Sequence, residues 1–366
     1  MKKIYNFSAE TGNLPDEVIE KANKAFLSYE GASVSILELT KNSPEYEKTV
    51  KNATKKLRQI LNIPSNYKVL FMNGGAAVQH SAIPLNILSA HKCADYVISG
   101  QSSKRAYIEA KKYGDIVIAA SSAGAIPMFS TVPEMKLSDF RPDADYVFYK
   151  VNNTVYGTKF HYIPDTGNIP LVADMSSFLL SEPVDISKYA LIYATSDGNM
   201  GPVGLTVVII RDDIVGGAGN DTPGHLNYKL ALTDPKSDII APVWNIYLAG
   251  LLFDWIIEEG GLEEIKRHNE RKASLIYDYL DTQQYYTATV DKKCRSMVNV
   301  VFTTGDALLD KKFIKDAKRV GLINLSGDDS LGGMRASIYN TMPIEGVGKL
   351  VSFMKDFSQE NPKMEA

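Results

Sequence analysis

The stretch YALIYATSDGNMGPVGLTVVIIR, residues 189–211, decides the fold that this sequence predicts. Two apolar runs, Leu191–Ala194 and Leu205–Ile210, flank a polar turn that contains Gly198. Both runs are short and rich in branched apolar residues, which is typical of strands that are buried on both faces of a sheet. Since such sheets bind ligands beyond the carboxyl ends of their strands, we expect a functional site close to this turn.

Strands and helices alternate along the chain before this stretch. The predicted strands are Tyr67–Met72, Asp95–Ile98, Asp115–Ala120, Tyr146–Val151 and Leu171–Ala173, and the predicted helices between them are Gly75–Ile87 and Ser102–Tyr113. This alternation indicates an α/β fold with a mainly parallel sheet. Two long helical patterns follow, from about Pro242 to Leu280, and a smaller α+β pattern completes the chain.

Length and composition limit the classes of protein to consider. The chain has 366 residues, which exceeds the roughly 250–300 residues at which a single core stops growing, so we expect one large and one smaller domain. The formal net charge is −3, with 40 basic and 43 acidic residues. That balance argues against nucleic acid as a partner, because nucleic-acid-binding proteins usually carry a basic excess or stripe.

Neither a membrane segment nor a metal site is expected. No apolar run approaches the roughly 18 residues of a membrane span, and the N-terminus lacks the apolar region of a secretory signal. The two cysteines, Cys93 and Cys294, are far apart in sequence, which fits a reduced, cytoplasmic protein. The five histidines show no spacing typical of metal ligands.

Three local patterns are candidates for ligand binding, and each has a structural alternative. The segment 73–77 follows a strand and opens a helix, so its N–H groups are suited to a phosphate, although glycine also serves turn geometry there. Asp174 ends a strand, where its carboxylate can pair with a protonated ring nitrogen or cap the next turn. Arg335 lies in an apolar strand, where it can hold a carboxylate or form an ion pair between domains.

Together, these segments resemble the phosphoserine aminotransferases, which are fold-type I enzymes that use pyridoxal phosphate (PLP). The resemblance spans nearly the whole chain and is carried by NFS (6–8), LNIPSNYKVLF (61–71), PLNIL (84–88), LVADMSS (171–177), NMGPVGLTVVIIRDD (199–213), YLAGLLFDW (247–255) and GGMRASIYNTMPIEGV (332–347). It implies a homodimer. It also implies a large domain, residues 16–258, with a mainly parallel seven-stranded sheet between helices, and a smaller α+β domain built from residues 1–15 and 259–366.

The resemblance implies site residues, of which three are present. Asp174 matches the aspartate that pairs with the pyridine nitrogen, Thr154 the threonine that hydrogen-bonds the ring region, and Arg335 the arginine that holds the substrate carboxylate. The other site positions have changed. The Schiff-base lysine and the glutamine before it match Gly198 and Asp197, the phosphate-binding glycine–arginine pair matches Ala76 and Ala77, the stacking tryptophan matches Ser102, and the histidine and arginine of an early substrate loop match Lys41 and Asn42. An asparagine–threonine pair from the second subunit matches Ile239 and Ile240, and the histidine–arginine pair that binds the substrate phosphate matches Asp328 and Asp329.

These changes predict a homologue without catalytic activity. Gly198 has no amine and cannot form a Schiff base. The lost phosphate donors remove charge-assisted hydrogen bonds worth roughly 1.5–3 kcal/mol each, and Asp328 and Asp329 repel a phosphate dianion. We therefore expect PLP to be bound weakly, noncovalently or not at all. The expected role is binding or regulatory, in a homodimer or in a heterodimer with an active paralogue, with an amino or keto acid as ligand.

Three alternatives stay open at this point. The chain could be a PLP-dependent phosphoserine:2-oxoglutarate aminotransferase of serine biosynthesis, or a related transaminase that holds PLP noncovalently through Asp174 and Thr154. It could also be a structural dimer with a filled cleft. Four lysines near the cleft could replace the missing amine, although we expect them to be solvated: Lys41, Lys104, Lys150 and Lys229.

Overall fold

A computed structural model describes residues 3–31, 33–234 and 239–363. The strands, β1 to β14 in chain order, are Tyr5–Asn6, Tyr67–Asn73, Cys93–Ile98, Asp115–Ser121, Tyr146–Lys150, Asn152–Asn153, Thr158–Lys159, Leu171–Asp174, Leu191–Thr195, Leu205–Arg211, Thr287–Ala288, Asn299–Thr303, Leu322–Ile323 and Met334–Ser337. The α-helices, α1 to α9, are Asp16–Leu27, Pro44–Leu61, Ala76–Ile87, Gln101–Ala110, Tyr228–Thr233, Val243–Glu258, Leu262–Thr282, Ala307–Arg319 and Ile344–Glu360.

Seven strands form the central sheet, in the order β2-β10-β9-β8-β5-β3-β4. The pairs from β9 to β4 are parallel, whereas β10 is antiparallel to both of its neighbours. Every residue of β3, β5, β8 and β9 is buried, as expected for strands that are covered on both faces. The predicted α/β fold with a mainly parallel seven-stranded sheet is therefore confirmed.

The long elements begin and end within a few residues of their predicted positions, but several very short strands were not predicted. One of them matters for function. The strands β6 and β7 pair with each other and enclose the turn Thr154–Gly157 directly after the central strand β5. A two-residue strand is too short to show a period of two in the sequence, so the pattern contained no signal for this hairpin.

Two main hydrophobic cores lie on and beside the sheet. The larger one surrounds the central sheet and includes helices α2, α3 and α6. The other brings Tyr5 and Phe7 of the N-terminal arm together with residues of α7, α8, α9, β12 and β14. The predicted domain bounds, at residues 15–16 and 258–259, stay a prediction. Met1, Lys2 and residues 364–366 of the predicted small domain lie outside the described residues, as do residue 32 and residues 235–238 of the large one.

Two features of the described ranges bear on a membrane span and on a metal site. No helix there is both long enough and apolar enough to cross a membrane. In the same ranges, no group of three or more His, Cys, Asp or Glu side chains is placed to hold a metal ion.

Candidate functional site

The carboxyl ends of the central strands meet at one small cavity of about 180 Å³. Its lining consists mostly of hydroxyl and amide side chains and comprises Ala76, Gln101, Ser102, Lys150, Asn153, Thr154, Val155, Tyr156, Ser176, Ser177, Thr195 and Asp197. Four residues that the sequence assigned to the cofactor site, Ala76, Ser102, Thr154 and Asp197, are therefore brought together. The cavity is smaller than the roughly 300–1,000 Å³ that small-molecule sites usually offer.

Lys150 is buried in this site and forms an ion pair with Asp174. Strands β5 and β8 are in register so that Lys150 lies directly beside Asp174, and the Lys150 Nζ atom is 2.6 Å from Asp174 Oδ2. The two side chains are 7% and 1% exposed. The expectation that Lys150 is solvated was therefore wrong, because residues in register on neighbouring strands project from the same face of the sheet.

Asp174 has hydrogen-bond donors from this chain on both carboxylate oxygens. Lys150 donates to Oδ2, while the backbone N–H and the hydroxyl of Ser176 donate to Oδ1 over 2.9 and 2.6 Å. Burial acts to raise the pKa of Asp174, but Lys150 and Ser176 together lower it below its ordinary value. Asp174 is thus an ionised carboxylate. Lys150 and Ser176 line the cavity and Asp174 does not, so the carboxylate is covered by its own hydrogen-bond donors.

Gly198 lies in a turn that has no room for a side chain. Its φ angle is +100°, and a Cβ atom placed there would lie 2.7 Å from Cε1 of the Tyr339 ring. The Tyr339 hydroxyl is itself fixed by donating a hydrogen bond of 2.7 Å to the carbonyl oxygen of Ala9. The position that the resemblance assigns to a lysine is therefore covered by an aromatic ring, and its backbone angle is one that L-residues rarely adopt.

The remaining implied site residues lie outside the cavity. Ala77 follows Ala76 in the first turn of α3, and Asn42 lies exposed in the turn before α2. Arg335 is half-buried on β14, and its Nε atom is buried without a hydrogen-bond partner in the described residues. Ile239 and Ile240 are buried in the main core, so their apolar side chains offer no donor to a phosphate.

Charges around the cleft differ from those that a phosphorylated cofactor or substrate needs. Among the described residues that line the cavity, Lys150 is the only cation, and it is already paired with Asp174. Burial raises the pKa of Asp197, the anion of the lining. The pKa of Asp328 is lowered, mainly by the hydroxyl of Ser330 and in part by Arg335, so Asp328 is ionised near that arginine.

These side chains do not match what PLP requires. The carboxylate that would face a protonated ring nitrogen is satisfied by Lys150, the position for a Schiff-base amine is Gly198, and no cationic side chain stands at Ala76–Ala77 for a phosphate. Sequence reasoning found the last two features and missed the first. The sequence signal for the missed ion pair was a lysine at the end of the run YVFYK, residues 146–150, together with an aspartate at the end of LVAD, residues 171–174.

The tight turn at Gly198 leads to a direct prediction. Gly198→Ala should lower the free energy of unfolding by about 1–3 kcal/mol, because the new Cβ meets both a positive φ angle and the Tyr339 ring. Urea unfolding of the purified variant measures this loss. Gly75→Ala is the matched control, since Gly75 has no atom within 4 Å of an added Cβ and no positive φ angle. Equal stabilities of the two variants would contradict the close contact with Tyr339.

The mainly parallel sheet with a cavity at the carboxyl ends of its strands matches the fold of PLP-dependent aminotransferases. The family model of the class-V aminotransferases matches residues 4–350, and the chain belongs to this family. It is 43% identical over 363 residues to a phosphoserine aminotransferase of Bacillus cereus, covering 99% of this chain and 100% of that protein. It is also 43% identical to that of Nitrosomonas europaea, over 99% of this chain and 100% of the relative.

Solved structures lead to the same family. The phosphoserine aminotransferase from Bacillus circulans subsp. alkalophilus superposes with a TM-score of 0.93 at 38% identity, covering 98% of this chain and 99% of that one. A PLP-bound phosphoserine aminotransferase from Trichomonas vaginalis superposes with a TM-score of 0.89 at 33% identity, over 96% and 100% of the two chains. The chain is thus homologous to phosphoserine aminotransferases over 98–99% of its residues and belongs to a PLP-dependent family. The changes at site residues such as Gly198 are features of this particular chain.

Proposed function

We propose that this chain is a noncatalytic homologue of phosphoserine aminotransferase whose remodelled cleft serves a binding or regulatory role. The observation that supports this is the Lys150–Asp174 ion pair together with Gly198. The chain's own ammonium contacts the carboxylate that the resemblance assigns to the ring nitrogen of PLP, and the position of the Schiff-base amine carries no side chain. Covalent tethering and proton transfer by a lysine at position 198 are both absent as a result.

The ligand that we propose is a small amino or keto acid without a phosphate group. Arg335 supports the carboxylate end of such a ligand, because its buried Nε atom is a donor without a partner in the described part of the chain. Asp328 argues against a phosphorylated ligand. It is ionised, its charge is close enough to Arg335 for the two to interact, and it would repel a phosphate dianion at that arginine.

Lys150 also supports a second candidate, a transaminase that uses this lysine in place of the missing one. It is the only amine among the described residues that line the cavity. The aldehyde of PLP, however, is attached to the ring carbon opposite the nitrogen. An amine that neutralises Asp174 stands at the nitrogen end of such a ring, so it would have to leave its buried carboxylate to reach the aldehyde. We therefore favour the noncatalytic role.

Titration with PLP separates the two candidates. We expect the purified protein to show no aldimine absorbance beyond that of free PLP, and no adduct after borohydride reduction. We also expect no transfer of an amino group from phosphoserine to 2-oxoglutarate. Lys150→Met is the control for labelling of surface lysines. A reduced adduct mapped by mass spectrometry to Lys150, and missing in Lys150→Met, would contradict the noncatalytic proposal and favour the second candidate.

We further propose that the protein acts in the cytoplasm as a homodimer or as a heterodimer with an active paralogue. The supporting feature is a set of exposed apolar side chains on α1 and in the segment that follows it, which would suit a subunit interface. Its members are Ile19, Phe26, Leu27, Val34 and Leu37, of which Leu27 is 79% exposed.

A further inference from the structure

We propose that Lys150 is the specificity-determining residue that excludes PLP from the cleft, because its ammonium acts as a built-in counter-ion on Asp174 in place of a ligand's protonated ring nitrogen. This inference rests on the proposed function, in which the chain does not use PLP. It identifies Lys150 as the residue that excludes PLP, and it predicts that removal of the Lys150 ammonium increases the affinity for a ligand with a protonated ring nitrogen.

The geometry shows that the carboxylate is closed to ligands. Asp174 is 1% exposed and is absent from the cavity lining, whereas both residues that donate hydrogen bonds to it, Lys150 and Ser176, line the cavity. The other carboxylate oxygen is held by Ser176, through both its backbone N–H and its hydroxyl. A ring nitrogen could therefore reach Asp174 only by displacing one of these donors, and Lys150 is the one whose positive charge a protonated ring nitrogen would replace.

Displacement would weaken binding strongly. The Lys150 side chain is 7% exposed, so its ammonium would lose its partner in a largely buried place. Leaving one member of a buried pair without its partner corresponds to a loss of roughly two to three powers of ten in affinity. Asp197 is the carboxylate that lines the cavity. Burial raises its pKa and the charge of Lys150 acts to lower it, but no ion pair joins the two side chains in the described structure. A displaced Lys150 therefore has no second carboxylate in contact with it at the outset.

A second buried ion pair offers a matched control. Lys159 Nζ lies 2.8 Å from Glu182 Oε2, and the Lys159 side chain is as buried as that of Lys150. Lys159 also lies 4.3 Å from the centre of the Phe178 ring. This pair borders a separate groove and does not line the cavity beside Lys150. Lys159→Met therefore removes an equally buried lysine without opening Asp174.

The experiment uses pyridoxine 5′-phosphate, which has the ring nitrogen but no aldehyde, so that reaction with lysines cannot contribute. Equilibrium dialysis is performed with the full-length wild type, Lys150→Met, Lys159→Met and the double variant Lys150→Met/Asp174→Asn. We expect Lys150→Met to bind the probe about 100-fold more tightly than the wild type and Lys159→Met, and the double variant to lose this gain. Benzyl phosphate, which lacks the ring nitrogen, should bind all four proteins alike.

A second variant of Lys150 and a measurement on the wild type complete the experiment. If Lys150→Met does not fold alone, Lys150→Gln removes the charge while it keeps a hydrogen-bond donor, and folding in the presence of the probe is measured by thermal shift. Equal binding of the probe by the Lys150 variants and Lys159→Met, with the wild type inert towards PLP, would overturn this inference and leave the proposed function intact. Aldimine formation by the wild type would instead overturn the proposed function.

Discussion

Lys150→Met should lower the free energy of unfolding by about 3–5 kcal/mol, which is the usual cost of removing one member of a buried ion pair. The variant leaves the Asp174 carboxylate almost fully buried without its ammonium partner, while Ser176 still donates to it. Lys150→Met/Asp174→Asn should recover most of the loss, because it removes both charges and leaves no uncompensated one. Urea unfolding of the two variants and of the wild type measures this difference.

The same variant should reverse the pH dependence that Asp174 contributes. In the wild type the pKa of Asp174 is lowered, so its stabilisation is present above the unfolded pKa and is lost as the pH falls through the folded pKa. Without Lys150, burial is the dominant influence and raises the pKa of Asp174. A raised pKa gives stability that is present at low pH and is lost as the pH rises.

Unfolding curves at several values between about pH 4 and pH 8 distinguish these two signs. Relative to the wild type, Lys150→Met should be most destabilised at the upper end of that range. Lys159→Met is the control, because its loss acts on Glu182 and not on Asp174. An unchanged pH profile for Lys150→Met, together with wild-type stability, would mean that the ion pair is not formed in solution.

The example of Lys150 shows which parts of the structure could be predicted from the sequence. Each of the longer strands that end at the site was found from its own apolar run, including the predicted strand Tyr146–Val151, which contains Lys150. The two-residue strand β6 at the site was not found. The ion pair needed a further fact, namely the register between β5 and β8. Register between parallel strands depends on the packing of the chain that connects them, and no local pattern in either strand specifies it.

The contact between Gly198 and Tyr339 is a second feature that no local pattern in the sequence could predict. The resemblance identified Gly198 as the place of a missing lysine, and the polar turn around it could be found from the sequence. That Tyr339 fills the space beside this glycine depends on how the segment after β14 packs on the large sheet. Ala76, Ser102, Thr154 and Asp197 could be grouped only through the resemblance, since their positions share no spacing pattern.

Lys272 on α7 holds the segment that carries Tyr339 and provides the second large effect that we expect. Its amine is buried and donates to the carbonyl oxygens of Ile338, Tyr339 and Asn340 over 3.2, 2.6 and 3.2 Å. Lys272→Met removes the donor that these three carbonyl groups share. A protonated Lys272 can donate to all three carbonyl groups and a neutral one to two. Each buried acceptor that is left unsatisfied costs about 1–3 kcal/mol, so we expect the variant to lose at least about 2 kcal/mol of unfolding free energy.

The pH dependence of this loss provides the sharper measurement. Burial lowers the pKa of Lys272 from 10.5 to about 7, so between these values the unfolded chain binds a proton that the folded chain does not. The contribution of Lys272 to stability should therefore rise by up to about 1.4 kcal/mol per pH unit between about pH 7 and pH 10. The difference in unfolding free energy between the wild type and Lys272→Met should widen over that range. A constant difference would mean that the amine keeps its proton beside the three carbonyl groups.

Because Lys272 and Gly198 both act on the position of Tyr339, Lys272→Met and Gly198→Ala together should cost less than the sum of their separate losses.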